Sequence, residues 1–198
     1  MNREKLNKII KIYTEFGDEI TTNYAISKEC HDFILLVLEN GKTILEFGSG
    51  IGTEILCQTH KVISVEENIN FIGRHPSTYI HAPLKKLKDE LLEKYSPATS
   101  WYDPEIIDKK LNGKEPMSYD LILVDGPAYG GGRGGFYENL NLFDTSKIIM
   151  FDDIEREDDR RIFNMVVEKL GRPTKIIESP GNTQTGVILT EELKHLKD

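Results

Sequence analysis

Short apolar runs alternate with amphipathic stretches along most of this chain, and that alternation restricts the fold more than any single residue does. Runs at 42–47, 61–66, 77–81, 119–125 and 147–152 read as strands, while 53–59, 84–95 and 156–170 read as helices. In the last helix Ile162, Phe163, Val166, Val167 and Leu170 recur on one side. Strands separated by helical crossovers run parallel, so the expected class is α/β, with a mostly parallel sheet covered on both faces. Two final strands, 174–178 and 186–190, flank a Pro180-Gly181-Asn182 turn. They lie too close together for a helical crossover and are expected to pair as an antiparallel C-terminal hairpin.

Ahead of this pattern, residues 2–16 and 24–39 read as helices. In the second, Ile26, Cys30, Phe33, Ile34, Val37 and Leu38 recur at helical spacing. Ser27 is placed to cap its start and Gly41 marks its end. The expected organisation is one domain over 1–198, with an N-terminal helical cap (1–40) on a Rossmann-like core (42–190).

Composition narrows the class. Of 198 residues, 38% are hydrophobic and 29% charged, which fits a folded chain, neither disordered nor membranous. No apolar run approaches a membrane span, and the charged first residues lack the apolar stretch of a signal peptide. Cys30 and Cys57 are too few for a disulfide framework or a cysteine-rich metal site, so the expected location is cytoplasmic, with no membrane partner. The net charge is −8, and basic residues are interleaved with acids, as at 85–94. That argues against general nucleic-acid binding, which needs a basic face.

In open parallel sheets the site lies at the carboxyl ends of the strands. The first strand runs into Glu46-x-Gly48-x-Gly50-x-Gly52, with Ser49 inside the turn. This is not the G-x-G-x-x-G spacing of NAD-binding turns, because position 53 is Thr. The second strand ends at Glu66, with Glu67 and Asn68 beside it, about twenty residues after Glu46, the βαβ spacing at which a carboxylate accepts ribose hydroxyls. His81 and Ala82 follow the third strand. Asp125 closes the fourth, and Asp152 and Asp153 close the fifth. Three carboxylates that close repel one another; a divalent cation, Mg²⁺ or Mn²⁺, is the usual answer for oxygen-only ligands. Without a metal, Asp125 or Asp152 would act as a plain general base.

The segment 46–52 resembles the first motif of the S-adenosylmethionine (SAM)-dependent methyltransferases, E/D-x-G-x-G-x-G. A parallel sheet finished by a C-terminal hairpin is similarly the layout of the class I members. That resemblance implies SAM as cofactor, with Glu46 near its cationic amino-acid end and Gly48, Ser49, Gly50 and Gly52 forming the cradle. It implies Glu66 and Glu67 at the ribose, His81 and Ala82 flanking the adenine, and Asp125 near the transferred methyl group. The acids Asp125, Asp152 and Asp153 resemble the site of metal-dependent O-methyltransferases of the catechol and macrolide-sugar type. There a metal holds two substrate oxygens and lowers the pKa of the hydroxyl. A catechol-type site also has a lysine after the fourth-strand acid. This chain has Gly126-Pro127-Ala128-Tyr129 instead, which leaves the base open.

More widely, residues 44–50, Ser64-Val65-Glu66, 81–84, Trp101-Tyr102-Asp103, 124–127 and Asp152-Asp153-x-x-Arg156 resemble bacterial methyltransferase-like proteins of glycan and secondary-metabolite pathways. The expected function is O-methylation of a small hydroxylated acceptor. The competing readings are a methyltransferase acting on protein or RNA, an NAD(P)-dependent oxidoreductase, and a non-catalytic SAM-binding scaffold. The glycine cluster 130–135 suits a lid, with Arg133 at its tip to meet an anionic substrate, or else a merely mobile loop. Trp101 either lines the acceptor pocket or anchors its segment. The N-terminal helices offer a face for a homodimer.

Overall fold

The computed structural model describes residues 26–95, 98–127 and 132–197. The helix expected at 2–16, and Ala128 to Gly131 with the start of the glycine cluster, lie outside them. Seven strands form the main sheet: β1 (Thr43–Phe47), β2 (Lys61–Glu66), β3 (Thr78–His81), β6 (Leu121–Val124), β7 (Ile148–Phe151), β8 (Thr174–Glu178) and β9 (Gln184–Ile188). A separate two-stranded hairpin joins β4 (Leu84–Lys86) to β5 (Ser100–Tyr102). The helices are α1 (Lys28–Val37), α2 (Ile51–Cys57), α3 (Asp89–Lys94), α4 (Pro104–Leu111), α5 (Gly134–Glu138) and α6 (Glu157–Leu170).

The main sheet runs β3-β2-β1-β6-β7-β9-β8, and all pairs from β3 to β7 are parallel. β9 is antiparallel to both of its neighbours, because it slots between β7 and β8. The C-terminal hairpin is therefore as the short connection requires. Its second strand begins at Gln184, two residues ahead of the apolar run read from the sequence. Register levels the carboxyl ends: Phe47 pairs with Val65 and Val124, and Val124 with Phe151. The residues that follow these strands thus emerge along one edge.

Alternation sends each strand's side chains to two covered faces. On one face Ile44, Val62, Leu121, Leu123, Met150 and Val187 meet Ile26, Cys30, Phe33 and Ile34 of α1 and its approach. Ser27 caps α1 as read from the sequence, its hydroxyl accepting the Cys30 N–H at 3.1 Å. On the other face Leu45, Phe47, Val65, Ile122 and Val124 meet the β4–β5 hairpin, α4 and α6. Phe47 is the hub there: its ring lies 5.4–5.9 Å from those of Trp101, Tyr102, Phe136 and Phe143. At the opposite edge, Arg172 donates to the carbonyls of Leu189 (2.9 Å), Lys147 (2.8 Å) and Thr145, clipping the start of β7 to the end of β9.

The stretch 84–95 departs from its reading as one helix. Pro83 favours extended backbone beside it, and Leu84–Lys86 finds a partner in Ser100–Tyr102; only Asp89–Lys94 is helical. A cross-strand partner fourteen or more residues away leaves no local signal. α4 had one: Asp103 accepts the Glu105 N–H and Pro104 takes the first helical position.

The glycine cluster is not a lid in its described part. Gly134 and Gly135 are buried and open α5, and a Cβ at Gly132, Gly134 or Gly135 would overlap Ala98, the Tyr95 ring or the Trp101 ring. Trp101 is accordingly an anchor for this segment. Gly135→Ala is expected to destabilise the chain by about 1–3 kcal/mol in urea denaturation, because the indole has no room to retreat.

Candidate active site

The acids at the ends of β1 and β2 are buried and bonded to hydroxyls. Glu46 and Ser64 are register partners, and the Ser64 hydroxyl donates to Glu46 Oε2 at 2.9 Å. Thr53, from the first turn of α2, donates to the same oxygen at 2.8 Å. The Thr53 hydroxyl also accepts the Gly50 N–H at 2.9 Å, so it fastens the glycine turn to the acid beneath it. Burial pushes the Glu46 carboxyl up to about 7; the two hydroxyls pull it back and Glu66 adds to the rise. Glu66 is buried too: Oε2 accepts from the Ser49 hydroxyl at 2.7 Å and Oε1 from the Asn68 N–H at 2.7 Å. Beside it the half-buried Glu67 is also raised to about 7, by burial and then by Glu66.

The turn itself requires glycine at one point above all. Gly48 has φ 94°, donates its N–H to the Val65 carbonyl at 2.8 Å, and faces the Asp125 backbone closely enough that a Cβ would touch it at 3.4 Å. Gly50 starts α2 in extended conformation. Gly52 looks the other way, against Ile26, so its smallness serves helix packing. At the end of β3, His81 is exposed with Nε2 3.2 Å from the Glu67 carbonyl oxygen, while Ala82 is buried and donates its N–H to the Glu66 carbonyl at 2.9 Å. Eight of the sequence-derived positions, Glu46, Gly48, Ser49, Gly50, Glu66, Glu67, His81 and Ala82, thus gather along the ends of β1 to β3. Thr53 and Ser64 join them; only their proximity to Glu46 marks them, and that proximity is a matter of register and helix phase.

The ends of β6 and β7 are organised by a cation the sequence reading placed elsewhere. Arg133 is only 4% exposed. Its guanidinium lies 3.2 Å from Asp153, 3.3 Å from Asp159 and 3.6 Å from Asp125, and it donates to the Asp152 carbonyl. Asp153 turns its carboxylate this way from a left-handed backbone (φ 58°) and also pairs with Arg156 at 2.9 Å. Asp152 points elsewhere: Oδ1 accepts the Thr185 hydroxyl at 2.7 Å. Enclosure by protein raises the pKa of Asp125, with Asp152 adding to the rise and Arg133 opposing it. Burial likewise raises Asp152, next helped by Asp153 and opposed by Thr185 and Arg133.

Two expectations are corrected here. Asp125, Asp152 and Asp153 do not form a ligand set for Mg²⁺ or Mn²⁺: among the described residues no group of three His, Cys, Asp or Glu is placed to hold a metal ion. The repulsion between these acids is real, but Arg133 and Thr185 answer it. Arg133 is also no lid-tip receptor for an anionic substrate: it is buried, with its guanidinium enclosed by the carboxylates of Asp125, Asp153 and Asp159 and by the Asp152 carbonyl. Asp125 keeps the exposure expected of a reacting group, with 31% of its side chain open to solvent. Next to it, burial and then Glu67 keep the Tyr102 phenol neutral, and the ring ends against Gly126.

No family model matches the chain, and no curated protein matches it. Solved structures do. A methyltransferase from Geobacter sulfurreducens superposes with a TM-score of 0.52 at 10% identity, over 92% of this chain and 89% of that one. Human methyltransferase-like protein 13 in complex with SAH superposes with a TM-score of 0.50 at 11% identity, over 82% of each chain. At such identities the likeness is one of fold. Its elements agree with the strand order and the lone antiparallel strand described above: the chain has the Rossmann-like fold of the class I methyltransferases.

Proposed function

We propose that this chain is a SAM-dependent methyltransferase whose acceptor is a hydroxyl oxygen of a small molecule. One observation carries the reading: buried carboxylates, not phosphate-binding N–H groups, dominate the strand ends where a nucleoside cofactor sits in this fold. Glu46, Glu66, Glu67 and Asp125 give that edge a negative field. A dinucleotide brings an anionic pyrophosphate to it, whereas SAM brings an ammonium and a sulfonium. The residues fit SAM in detail. Both hydroxyl donors to Glu46 use Oε2, which leaves Oε1 for the ammonium. Glu66 accepts ribose hydroxyls while Ser49 and the Asn68 N–H hold it in place. Gly48, whose φ of 94° disfavours a side chain, lets the cofactor lie on the backbone. His81 and Ala82 flank the base. The complex of human methyltransferase-like protein 13 with SAH is in keeping with this cofactor.

Bound SAM supplies an activated methyl group on a sulfonium. Asp125 stands at the methyl-bearing end, one residue beyond the Phe47–Val124 pair of β1 and β6 and so beside the Gly48 turn. Its raised pKa suits a general base that takes the acceptor's hydroxyl proton as the oxygen attacks. The partly exposed Asp125 gives the acceptor its entry, and alignment of oxygen with methyl supplies most of the remaining rate. Asp152, whose Oδ1 accepts the Thr185 hydroxyl, donates its backbone N–H to the Val124 carbonyl at 3.1 Å and so ties the end of β7 to the strand that leads into Asp125.

Calorimetric titration tests the reading. SAM and SAH are expected to bind in the micromolar range, and Glu66→Ala to weaken SAH about 10- to 100-fold, the loss of charged hydrogen bonds worth about 1.5–3 kcal/mol. Absence of binding by either nucleoside sinks the proposal. A second expectation concerns pH. The ligand's ammonium needs ionised Glu46, whose carboxyl sits at about 7 in the free chain. Binding therefore displaces a proton below that pH, and affinity falls roughly tenfold per pH unit as the medium is acidified. Glu46→Gln flattens this profile and lowers its plateau above pH 7; Glu67→Gln leaves the slope in place. A slope retained in Glu46→Gln would refute the assignment of Glu46.

A further inference from the structure

Four features meet at Arg133. Its side chain is buried. Three carboxylates from three elements converge on it: Asp125 after β6, Asp153 after β7, and Asp159 in the first turn of α6, at 3.2–3.6 Å. The fourth aspartate, Asp152, gives it a backbone carbonyl and finds its own side-chain donor in Thr185. Its backbone is seated by glycines that pack on Tyr95, Ala98 and Trp101, so the guanidinium cannot withdraw without unpacking the aromatic layer. A guanidinium here is always charged, presents a rigid fork of donors, and cannot be lost by dilution or chelation.

On the methyltransferase reading above, we propose that Arg133 is a positioning residue: a fixed side-chain cation that takes the place a divalent ion would hold between the β6 and β7 carboxylates, and that orients Asp125 toward the acceptor hydroxyl. The proposal also narrows the acceptor. Arg133 is buried among aspartates, and Arg156 is paired with Asp153. Around them stand Asp125, Asp152, Asp153 and Asp159, so this mouth receives an uncharged or cationic acceptor, not a phosphate or a carboxylate.

Mn²⁺ serves as the probe, followed by electron paramagnetic resonance and by thermal melting on the full chain, Arg133→Ala, Arg133→Lys and the double variant Arg133→Ala/Asp153→Asn. Wild type leaves submillimolar Mn²⁺ free, and neither Mn²⁺ nor EDTA moves its melting temperature. Arg133→Ala melts several degrees lower. It takes up Mn²⁺ about tenfold or more tightly than wild type and regains stability with it, as oxygen ligands stripped of their counter-ion should. Arg133→Lys stays silent toward Mn²⁺, and the double variant loses the acquired site. The inference is overturned if wild type holds Mn²⁺ and Asp125→Asn releases it, or if Arg133→Ala folds and gains no Mn²⁺ affinity. Where Arg133→Ala does not fold, wild type and Arg133→Lys decide: Mn²⁺ held by either and lost with Asp153→Asn overturns the inference, and Mn²⁺ held by neither sustains it. SAH titration of the same wild-type protein is a separate readout, whose failure defeats the methyltransferase reading and leaves the Mn²⁺ result interpretable.

Discussion

Carboxylates from four strand ends leave this sheet along one edge, and burying them there is the constraint around which the rest of the site is arranged. An ionised carboxylate withdrawn from water costs several kcal/mol unless donors or counter-charges replace the water. The protein answers in two ways. At β1 and β2 the donors are neutral hydroxyls, Thr53, Ser64 and Ser49, which stabilise the acids without cancelling their charge. At β6 and β7 the answer is a full positive charge, Arg133. The edge is thereby divided into a half left short of cations and a half already supplied with one. A cationic ligand has a reason to settle on the first half, and the second is preorganised before any ligand arrives.

What could be read from the sequence follows from how local its causes are. The parallel sheet, the C-terminal hairpin, Ser27 as a cap and the acids that close β1, β2, β6 and β7 all rest on patterns a few residues long, and the structure bears them out. The fate of those acids did not. That Asp153 meets Arg133 and not an ion depends on where a segment twenty residues earlier is seated, which depends in turn on glycines matched to Trp101 and Tyr95. Glycines in a row read as freedom in a sequence; packed under aromatic rings they are the opposite, because the missing Cβ is what permits contact. The β4–β5 hairpin escaped for a similar reason, since Leu84–Lys86 carries no strand signal without Ser100–Tyr102 beside it. The charge of Arg133 was visible, but which charges it would face was not.

Phe47 links the two halves mechanically. It is the last residue of β1, between Glu46 and the Gly48 turn, and its ring packs on Trp101 and Phe136. Phe136 belongs to α5, whose first residues follow Arg133 directly. The strand that presents the glycine turn and the segment that delivers the guanidinium therefore share one aromatic layer. Dense packing of this kind is nearly incompressible and passes strain on, so the spacing between the cradle and Asp125 is held by this aromatic layer.

The position of β9 has a consequence for how the chain comes off the ribosome. β8 is synthesised before β9, yet it has no place in the sheet until β9 lies between it and β7. Through that interval the outer edge of β7, the strand that leads into Asp152, stays unpaired, and an unpaired apolar edge invites other chains. Arg172, already translated, can close its bond to Leu189 only after β9 has emerged. The acceptor side of the sheet thus stays half-built from the end of β7 at Phe151 to the end of β9 at Ile188, and its exposure to a neighbouring polysome is set by the time taken to translate those 37 codons at roughly 5–20 residues per second.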